Sequence, residues 1–417
     1  MTDAEIWVLE ALRKSLAGND DADSSEKACK SEADTGAERP GINDIVRILK
    51  AHSVTQLAEE ELKKAVSESD DPGDMHIYNR ILAGNKAATL HAMRQIYLTQ
   101  KTVNAFESEN IQIIVLKGIA TARYYGKPEK RKAGDVDILL TDRNRTEDAR
   151  RIILSLGCDI KEEQRAQHHI VFNYRKTDID IELHTMLVEP FDNEKINHYV
   201  DLLITECGQH MAYVDAFGVR VPALIGAYHA YELLLHMLQH FLRAGFGLKL
   251  LCDWVVFWNT EQMDTAEQET YMTLVKESGV KGFSDGITMI CTDYLGLKEE
   301  KVSFMELQGS RRSINARELL KDILAGEEFG HADSDRMVAL RGSRLSDYIR
   351  EFHHQMKLNH PKTSKAVILW PALWIYTYIV FVHNNRVIRK TGTFDIYKNA
   401  GRRGRIVRQM KLFEMQP

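Results

Sequence analysis

Two aspartates two residues apart, Asp135 and Asp137, lie on an otherwise apolar run that ends at Leu140. Successive side chains of a β-strand alternate between its faces, so both carboxylates share one face while Val136 and Ile138 point into a core. Neighbouring negative charges repel each other, and a divalent cation between them removes that repulsion. Oxygen ligands suit Mg²⁺. The pattern predicts a metal site, and a solvated strand edge is the alternative.

A second run, residues 178–184, alternates strictly between polar and apolar residues. Its polar face carries Asp178, Asp180, Glu182 and His184. If this strand lies beside the first, its carboxylates complete the metal site. One of them could then act as a general base on an acceptor hydroxyl. A solvent-exposed strand face is the simpler interpretation of the same residues.

A short β-branched run, residues 111–116, precedes Lys117 and Gly118. It predicts a buried strand that enters a tight turn, followed by a short helix over residues 119–125. Glycine at such a turn lets backbone N–H groups approach a phosphate closely, and Lys117 lies where its ammonium could reach one. An ordinary strand–helix turn would look the same.

Three segments, Leu116–Gly118, Arg131–Leu140 and Ile181–His184, together resemble the nucleotidyltransferase superfamily that has a DNA polymerase β-like catalytic core. The closer likeness is to a bacterial branch of largely uncharacterised members. Genes of that branch often lie near those for modified-peptide or cell-surface polysaccharide biosynthesis. The resemblance covers about residues 85–260.

This resemblance implies an α+β fold, in which a polymerase β-like core of a small mixed sheet with helices is flanked by helical N- and C-terminal regions. Asp135 and Asp137 would hold two Mg²⁺ ions that bridge the nucleotide phosphates. Glu182 would be the third carboxylate, contacting one metal and the acceptor hydroxyl. The substrates would be an NTP, with ATP favoured, and a peptide or small-molecule acceptor.

The resemblance also assigns phosphate contacts. Lys117 and Arg131 would bind phosphate oxygens and offset the charge that develops on the leaving pyrophosphate. Gly118 would allow the phosphate turn, and His184 would contact the nucleotide. The wider superfamily usually has glycine followed by a small hydroxyl residue or a second glycine at this turn. Here the pair is Lys117 and Gly118, which matches the closer branch.

A third group of candidates lies downstream. His236 and His240 are four residues apart and share one face of a predicted helix, and Lys249 and Asp253 follow. In the resembling branch, comparable positions line the cleft opposite the sheet, so these four residues could contact base, ribose or acceptor. The His-x-x-x-His spacing would also suit zinc, but no third ligand is evident. Ordinary packing is the remaining alternative.

Composition excludes several classes. The 417 residues carry a formal net charge of −5, which argues against a general nucleic-acid binder. The five scattered cysteines predict no disulfide framework. The acidic N-terminus is unlike a signal peptide. No Walker-type or Gly-x-Ser-x-Gly motif occurs. We expect a cytoplasmic protein.

Three regions are predicted: an N-terminal helical region (1–84) with a mobile acidic loop over 18–40, a catalytic core (85–222), and a C-terminal helical domain (223–417). Helices are expected over 6–17, 42–67, 77–110 (one or two), 144–156 and 224–242. Strands are expected over 135–141 and near 158–163, 168–175 and 178–184, with a hairpin over 211–221. Asp142 and Asn144 are expected to cap the helix over 144–156, and Gly157 to end it.

One segment bears on membrane association. Residues 366–382 are almost wholly apolar, are short for a membrane span and contain Pro371, which favours a buried or interfacial helix. A basic tail follows, from Arg386 to Lys411. The tail could bind an anionic membrane surface, which would place the protein at the inner membrane surface, or less readily a nucleic acid. A solvated helix is the alternative.

The reaction that these features predict is Mg²⁺-dependent transfer of a nucleoside monophosphate from an NTP to a hydroxyl or phosphate, with release of pyrophosphate. Three alternatives stay open. The same core could transfer a phosphoryl or pyrophosphoryl group. It could have lost catalysis and bind a peptide or a membrane. It could also act as a toxin on transfer RNA, although the composition is not broadly basic.

Overall fold

Helices surround a small mixed sheet in the computed structural model. It describes residues 1–17, 40–162, 169–188, 190–191, 194–243, 245–326, 345–360, 363–383 and 403–412. The α+β class predicted from the sequence is confirmed. The acidic loop expected over 18–40 lies outside the described residues, except for its last residue.

Five strands form the main sheet, in the order β1-β2-β5-β4-β3. Only β2 and β5 run parallel, and the other neighbouring pairs are antiparallel. In the parallel pair Asp137 lies opposite Glu182. The two acidic strands are therefore neighbours, which is the condition under which their carboxylates can share one site. The strands are β1 (Ile113–Leu116), β2 (Val136–Leu140), β3 (Cys158–Glu162), β4 (His169–Tyr174) and β5 (Ile179–His184).

In the described residues, four helices precede the sheet. The helix expected over 42–67 is two helices, because the chain turns between them and Ser53 adopts a positive φ of 55°. The segment expected over 77–110 is one helix of 37 residues, which Asp71 caps by accepting a hydrogen bond from the Gly73 N–H. This helix continues through residue 84, and the division into three regions stays a prediction. The helices are α1 (Asp3–Leu16), α2 (Ile42–Ala51), α3 (Glu59–Ser67) and α4 (Pro72–Ser108).

The helices that follow β1 and β2 are shorter than expected. The helix after Lys117 is α5 (Gly118–Ala122), which is too short for its dipole to contribute much at that turn. Asp142 accepts a hydrogen bond from the Asn144 N–H, but this bond caps a 3₁₀ turn, and Asn144 lies inside that turn rather than at its cap. The helix that follows, α6 (Thr146–Ser155), ends near Gly157 as predicted.

After the main sheet the described chain forms one helix, then a second, two-stranded sheet, and then further helices. The expected hairpin extends to Leu224, so the long helix begins at Gly226. The later described part is otherwise helical, as predicted. These elements are α7 (Glu194–Cys207), β6 (Met211–Ala216), β7 (Val219–Leu224), α8 (Gly226–Arg243), α9 (Leu248–Thr260), α10 (Thr265–Glu277), α11 (Lys281–Tyr294), α12 (Ala316–Leu324), α13 (Leu345–Asn359) and α14 (Trp370–His383).

The two faces of the main sheet belong to different cores. Val136, Ile138 and Leu140 join one apolar cluster with residues of α4, α6 and the β6–β7 hairpin. Leu116 and Leu139 point the opposite way and join the larger cluster that includes α8 and α9. Alternation along β2 therefore places Asp137 on the face directed towards the C-terminal helices, as the sequence predicts.

The apolar segment 366–382 is not a buried helix, and that part of the prediction is wrong. In α14, Ile375 is 62% and Ile379 58% exposed. Among the described residues, no helix combines the length and apolar character that a membrane span needs. The interfacial alternative stays a prediction.

The basic tail is not a uniformly solvated helix. Its described part, residues 403–412, packs back on the helical region and buries Ile406, Val407 and Met410. Arg403 is 1% exposed, and its Nε lies 3.0 Å from Asp322 Oδ2. Arg403 is therefore part of the protein interior. The tail residues 384–402 lie outside the described part.

Candidate active site

A cleft between the acidic face of the sheet and helices α8 and α9 has a volume of about 330 Å³. Ten of the eleven predicted site residues line it, and His184 lies beside two of them. The structure therefore brings together residues from segments that are far apart along the chain. The lining residues predicted from the sequence are Lys117, Gly118, Arg131, Asp135, Asp137, Glu182, His236, His240, Lys249 and Asp253.

The acidic centre combines Asp137, Glu182 and His184. His184 Nε2 lies 3.0 Å from Asp137 Oδ1 and 3.2 Å from Glu182 Oε2. Ligand atoms of all three residues fall within 4.8 Å of one another, and no other such group of three occurs in the described ranges. Two carboxylate oxygens and an imidazole nitrogen at this spacing fit a divalent cation.

Charges inside this centre support each other. Burial alone would raise the pKa of Asp137, but Lys117 and His184 outweigh burial and lower that pKa below its usual range. Burial alone would lower the pKa of His184, but hydrogen bonds to Asp137 and Glu182 outweigh it, and the pKa is raised. Ion pairs that Lys117 and His184 form with the carboxylates thus hold the centre together.

Asp135 lies at the entrance of the cleft, just before β2, and the residue is partly exposed to solvent. Partial burial and the carboxylates of Asp137 and Glu182 raise its pKa to about 6. The ionised form is disfavoured because three carboxylates converge here, and a bound cation would relieve this repulsion. Asp135 lies outside the group of ligand atoms within 4.8 Å of one another, and its role as a metal ligand stays a prediction.

Lys117 combines a strained backbone with a largely buried side chain. Its φ is 46° and its ψ is −139°, a conformation that costs a non-glycine residue about 1–3 kcal/mol. Its Nζ lies 3.1 Å from Asp137 Oδ1. Burial would lower the pKa of Lys117, but Asp137, Glu182 and Glu232 outweigh it and raise the pKa. The turn thus holds a permanent positive charge against the acidic centre.

Replacing Lys117 by glycine should separate these two properties. We expect the free energy of unfolding, measured in urea, to be about 1–2 kcal/mol higher for Lys117→Gly than for Lys117→Met. The reason is that only glycine adopts this φ without strain. Both variants lose the ammonium, so both should lose activity to the same extent. Equal stability of the two variants would contradict a strained turn.

Arg131 and Asp253, both predicted site residues, bind each other. Arg131 Nε and Nη2 donate to the two oxygens of Asp253 at 2.7 and 2.8 Å, and Tyr125 Oη donates to Asp253 Oδ1 at 2.7 Å. Arg131 is 6% and Asp253 1% exposed. The pair joins the loop before β2 to α9, so it holds one edge of the cleft in place.

His236 and His240 face the cleft from α8, and their rings touch at a centroid distance of 4.5 Å. Burial, helped by Lys117, lowers the pKa of both, to about 4 for His240. Both imidazoles are therefore neutral at pH 7 and can donate or accept hydrogen bonds. No group of three ligand residues within the described ranges includes either histidine, so the zinc alternative has no third ligand here.

Sequence reasoning missed Glu232, a buried carboxyl on α8. Its Oε2 lies 3.9 Å from His229 Nε2, and Lys117 is its main electrostatic partner. Burial raises its pKa to about 8. The available signal was that Glu232 is the only acidic residue in the helix Gly226–Arg243. A single carboxyl on an apolar helix face usually has a buried partner.

The raised pKa of Glu232 predicts a pH effect on stability. The folded protein favours the protonated form, so wild-type stability should fall as the pH rises from about 4.5 to about 8. Relative to Glu232→Gln, the loss should approach about 1.4 kcal/mol per pH unit in this window. Urea unfolding at pH 5, 7 and 9 measures it, with the exposed Glu277→Gln as control. If the difference in unfolding free energy between wild type and Glu232→Gln does not change with pH, burial does not raise the pKa of Glu232.

The fold and this site define a class of protein, the nucleotidyltransferases. Residues 39–296, more than half of the chain, match the family described as "Uncharacterised nucleotidyltransferase", and the protein belongs to that family. The matched range contains every residue of the cleft named above. No curated protein matches the sequence. The resemblance inferred from the Lys-Gly turn and the acidic strands is therefore confirmed.

Proposed function

We propose that this protein transfers a nucleoside monophosphate from an NTP, ATP by preference, to a hydroxyl or phosphate of a peptide or small-molecule acceptor. Pyrophosphate is the second product. The observation that supports this most strongly is the convergence of Asp135, Asp137, Glu182 and Lys117 in one cleft of a nucleotidyltransferase family member. These carboxylates would hold two divalent cations, with Mg²⁺ as the expected ion.

Each side chain has a defined task in this reaction. The acceptor oxygen forms a bond to the α-phosphorus, and the bond from that phosphorus to the bridging oxygen of the pyrophosphate breaks. Glu182 accepts the proton of the acceptor hydroxyl. Lys117 carries positive charge towards the phosphates, and the bound cations would stabilise the charge that develops on the leaving group. The neutral His236 and His240 would contact the base or ribose.

Arg131 has a narrower role in this proposal than the resemblance implies. Two of its guanidinium nitrogens donate to Asp253. We propose that Arg131 mainly positions the loop that carries Asp135, and that Lys117 and Lys249 face the phosphates. Both lysines line the cleft.

The direct test incubates the purified protein with each of the four NTPs and Mg²⁺, with and without a cell extract. We expect pyrophosphate release and an acceptor whose mass has increased by one nucleoside monophosphate. An increase by one phosphoryl or pyrophosphoryl group would instead establish kinase-like transfer on the same core. No release and no Mg²⁺-dependent nucleotide binding would leave the non-catalytic binding module as the better description.

We also propose that the protein contacts an anionic membrane surface through α14. This helix exposes Trp374, Tyr376 and Tyr378 together with Ile375 and Ile379. Large exposed apolar surfaces mark interaction sites, and tryptophan and tyrosine suit the headgroup region of a bilayer. A basic side chain lies close by, since Lys357 Nζ lies 5.2 Å from the Trp370 ring centroid.

Vesicle flotation tests this contact. Wild-type protein should float with phosphatidylglycerol vesicles in low salt, and less with phosphatidylcholine vesicles. The double variant Ile375→Ser/Ile379→Ser should stay in the bottom fraction of the gradient with its fold intact. Equal flotation of both proteins would show that α14 is not the contact, and dimerisation lost in the double variant would identify a protein partner instead.

A further inference from the structure

The ligands around the acidic centre are chemically unequal. Asp135 offers only carboxylate oxygen, whereas the group Asp137, Glu182 and His184 adds an imidazole nitrogen to two carboxylates. We propose that His184 is a direct metal ligand and that the cation position formed by this group selects Mn²⁺ over Mg²⁺. This inference rests on the divalent cations of the proposed function and specifies what one of the two positions binds.

Strand register brings the His184 side chain to the centre. Because β2 and β5 are parallel, Asp137 lies opposite Glu182 and Leu139 lies opposite His184. Glu182 and His184 are two residues apart and share one face of β5. The imidazole presents Nε2 to both carboxylates, at 3.0 Å from one and 3.2 Å from the other. This nitrogen is already placed among the oxygens that the proposed function assigns to a cation, and a cation bound there would take the place of the imidazole proton.

A nitrogen ligand changes the metal that fits best. Mg²⁺ is bound mainly by oxygen and keeps several of its water ligands because it gives them up reluctantly. First-row transition metals accept imidazole readily, and Mn²⁺ also accepts carboxylates. Asp137 and His184 are each only 9% exposed, which leaves little room for retained water on that side of the site. Both the ligand type and the burial favour Mn²⁺.

The histidines of α8 provide a matched control. His240 lines the same cleft but belongs to no group of three ligand residues in the described part of the chain. His184→Gln and His240→Gln each remove one imidazole from the region of the cleft and keep a polar side chain of similar reach. Only the first should change metal binding.

The experiment uses full-length protein freed of metal by a chelator, and then Mn²⁺ without nucleotide. Pulsed electron paramagnetic resonance should detect ¹⁴N coupling to the bound Mn²⁺ in wild type and in His240→Gln, and no such coupling in His184→Gln. Wild type should bind Mn²⁺ more tightly than Mg²⁺, and His184→Gln should lose at least about tenfold in Mn²⁺ affinity with a smaller change for Mg²⁺. In wild-type protein grown with ¹⁵N-histidine, ¹⁵N coupling should replace the ¹⁴N coupling. This measurement uses no variant, so it does not depend on whether a variant folds.

Several results would overturn the assignment. These are Mn²⁺ bound without nitrogen coupling, coupling that survives in His184→Gln, or no Mn²⁺ binding at millimolar metal. The outcome is separable from that of the proposed function. Pyrophosphate release without nitrogen coupling would keep nucleotidyl transfer and reject His184 as a ligand. Nitrogen coupling without release from any NTP would keep the metal site and reject the transfer reaction.

Discussion

Asp137→Asn is expected to reduce pyrophosphate release by about 10³-fold or more, because loss of metal-based charge stabilisation costs several kcal/mol in the transition state. Asn keeps the size of the side chain but has no negative charge for the cation, Lys117 or His184. Its amide can still accept one hydrogen bond. We therefore expect the variant to fold, with a lower midpoint in thermal unfolding than wild type. Circular dichroism and a pyrophosphate assay on the same preparation measure both effects.

A second carboxylate gives the control for this result. Asp159 lies on β3 and pairs with Arg175 at the surface, away from the cleft. Asp159→Asn should keep wild-type activity because Asp159 lies away from the cleft. It should also fold normally, since exposed ion pairs contribute little to stability. Activity of Asp137→Asn within tenfold of Asp159→Asn would remove the acidic centre from the mechanism, and the proposed function with it.

The largest effect on stability is expected at the buried pair of Arg131 and Asp253. Asp253→Leu leaves the Arg131 guanidinium buried without its carboxylate, and Arg131→Met leaves Asp253 with only the Tyr125 hydroxyl. Each single change should lower the free energy of unfolding by about 3–5 kcal/mol. The double variant Arg131→Met/Asp253→Leu removes both charges and should recover most of that loss. Urea unfolding of all three proteins gives the coupling energy.

Tyr125→Phe serves as the control for the pair, because it removes one hydrogen bond and no charge. It should cost about 1 kcal/mol. If the double variant is as unstable as the sum of the single ones, the two residues do not act as a pair. Recovery of stability without recovery of activity would show that the charged pair is needed to shape the cleft.

Local patterns carried the prediction of the acidic strands. Alternation alone places Asp135 and Asp137 on one face, and the same rule applies to Glu182 and His184. That the two strands are neighbours came from the resemblance, because strand pairing depends on contacts between residues far apart in sequence. Once β2 and β5 pair in parallel, the register sets Asp137 opposite Glu182, and the site follows.

Other features could not be predicted from local patterns. Arg131 and Asp253 are separated by 122 residues, and nothing near either one indicates the other. The break between α2 and α3 depends on Ser53, whose positive φ has no glycine to signal it. An apolar run such as residues 366–382 predicts burial from composition, but burial requires a partner surface. In the described residues α14 packs mainly on α13, which leaves most of its side chains exposed.

The return of the chain at Arg403 determines how this protein can be shortened. Residues 403–412 are anchored on helices that precede α13, through Arg403 with Asp322 and through Met410, whose backbone lies against Gly282. Cutting the chain after α12 would therefore uncover apolar surface and leave the Asp322 carboxylate buried without its arginine. An internal deletion of 327–402, closed by a flexible linker, removes the exposed apolar helix and retains the anchor. This shortened protein is the better starting point for crystallisation and for titrating nucleotide into the cleft.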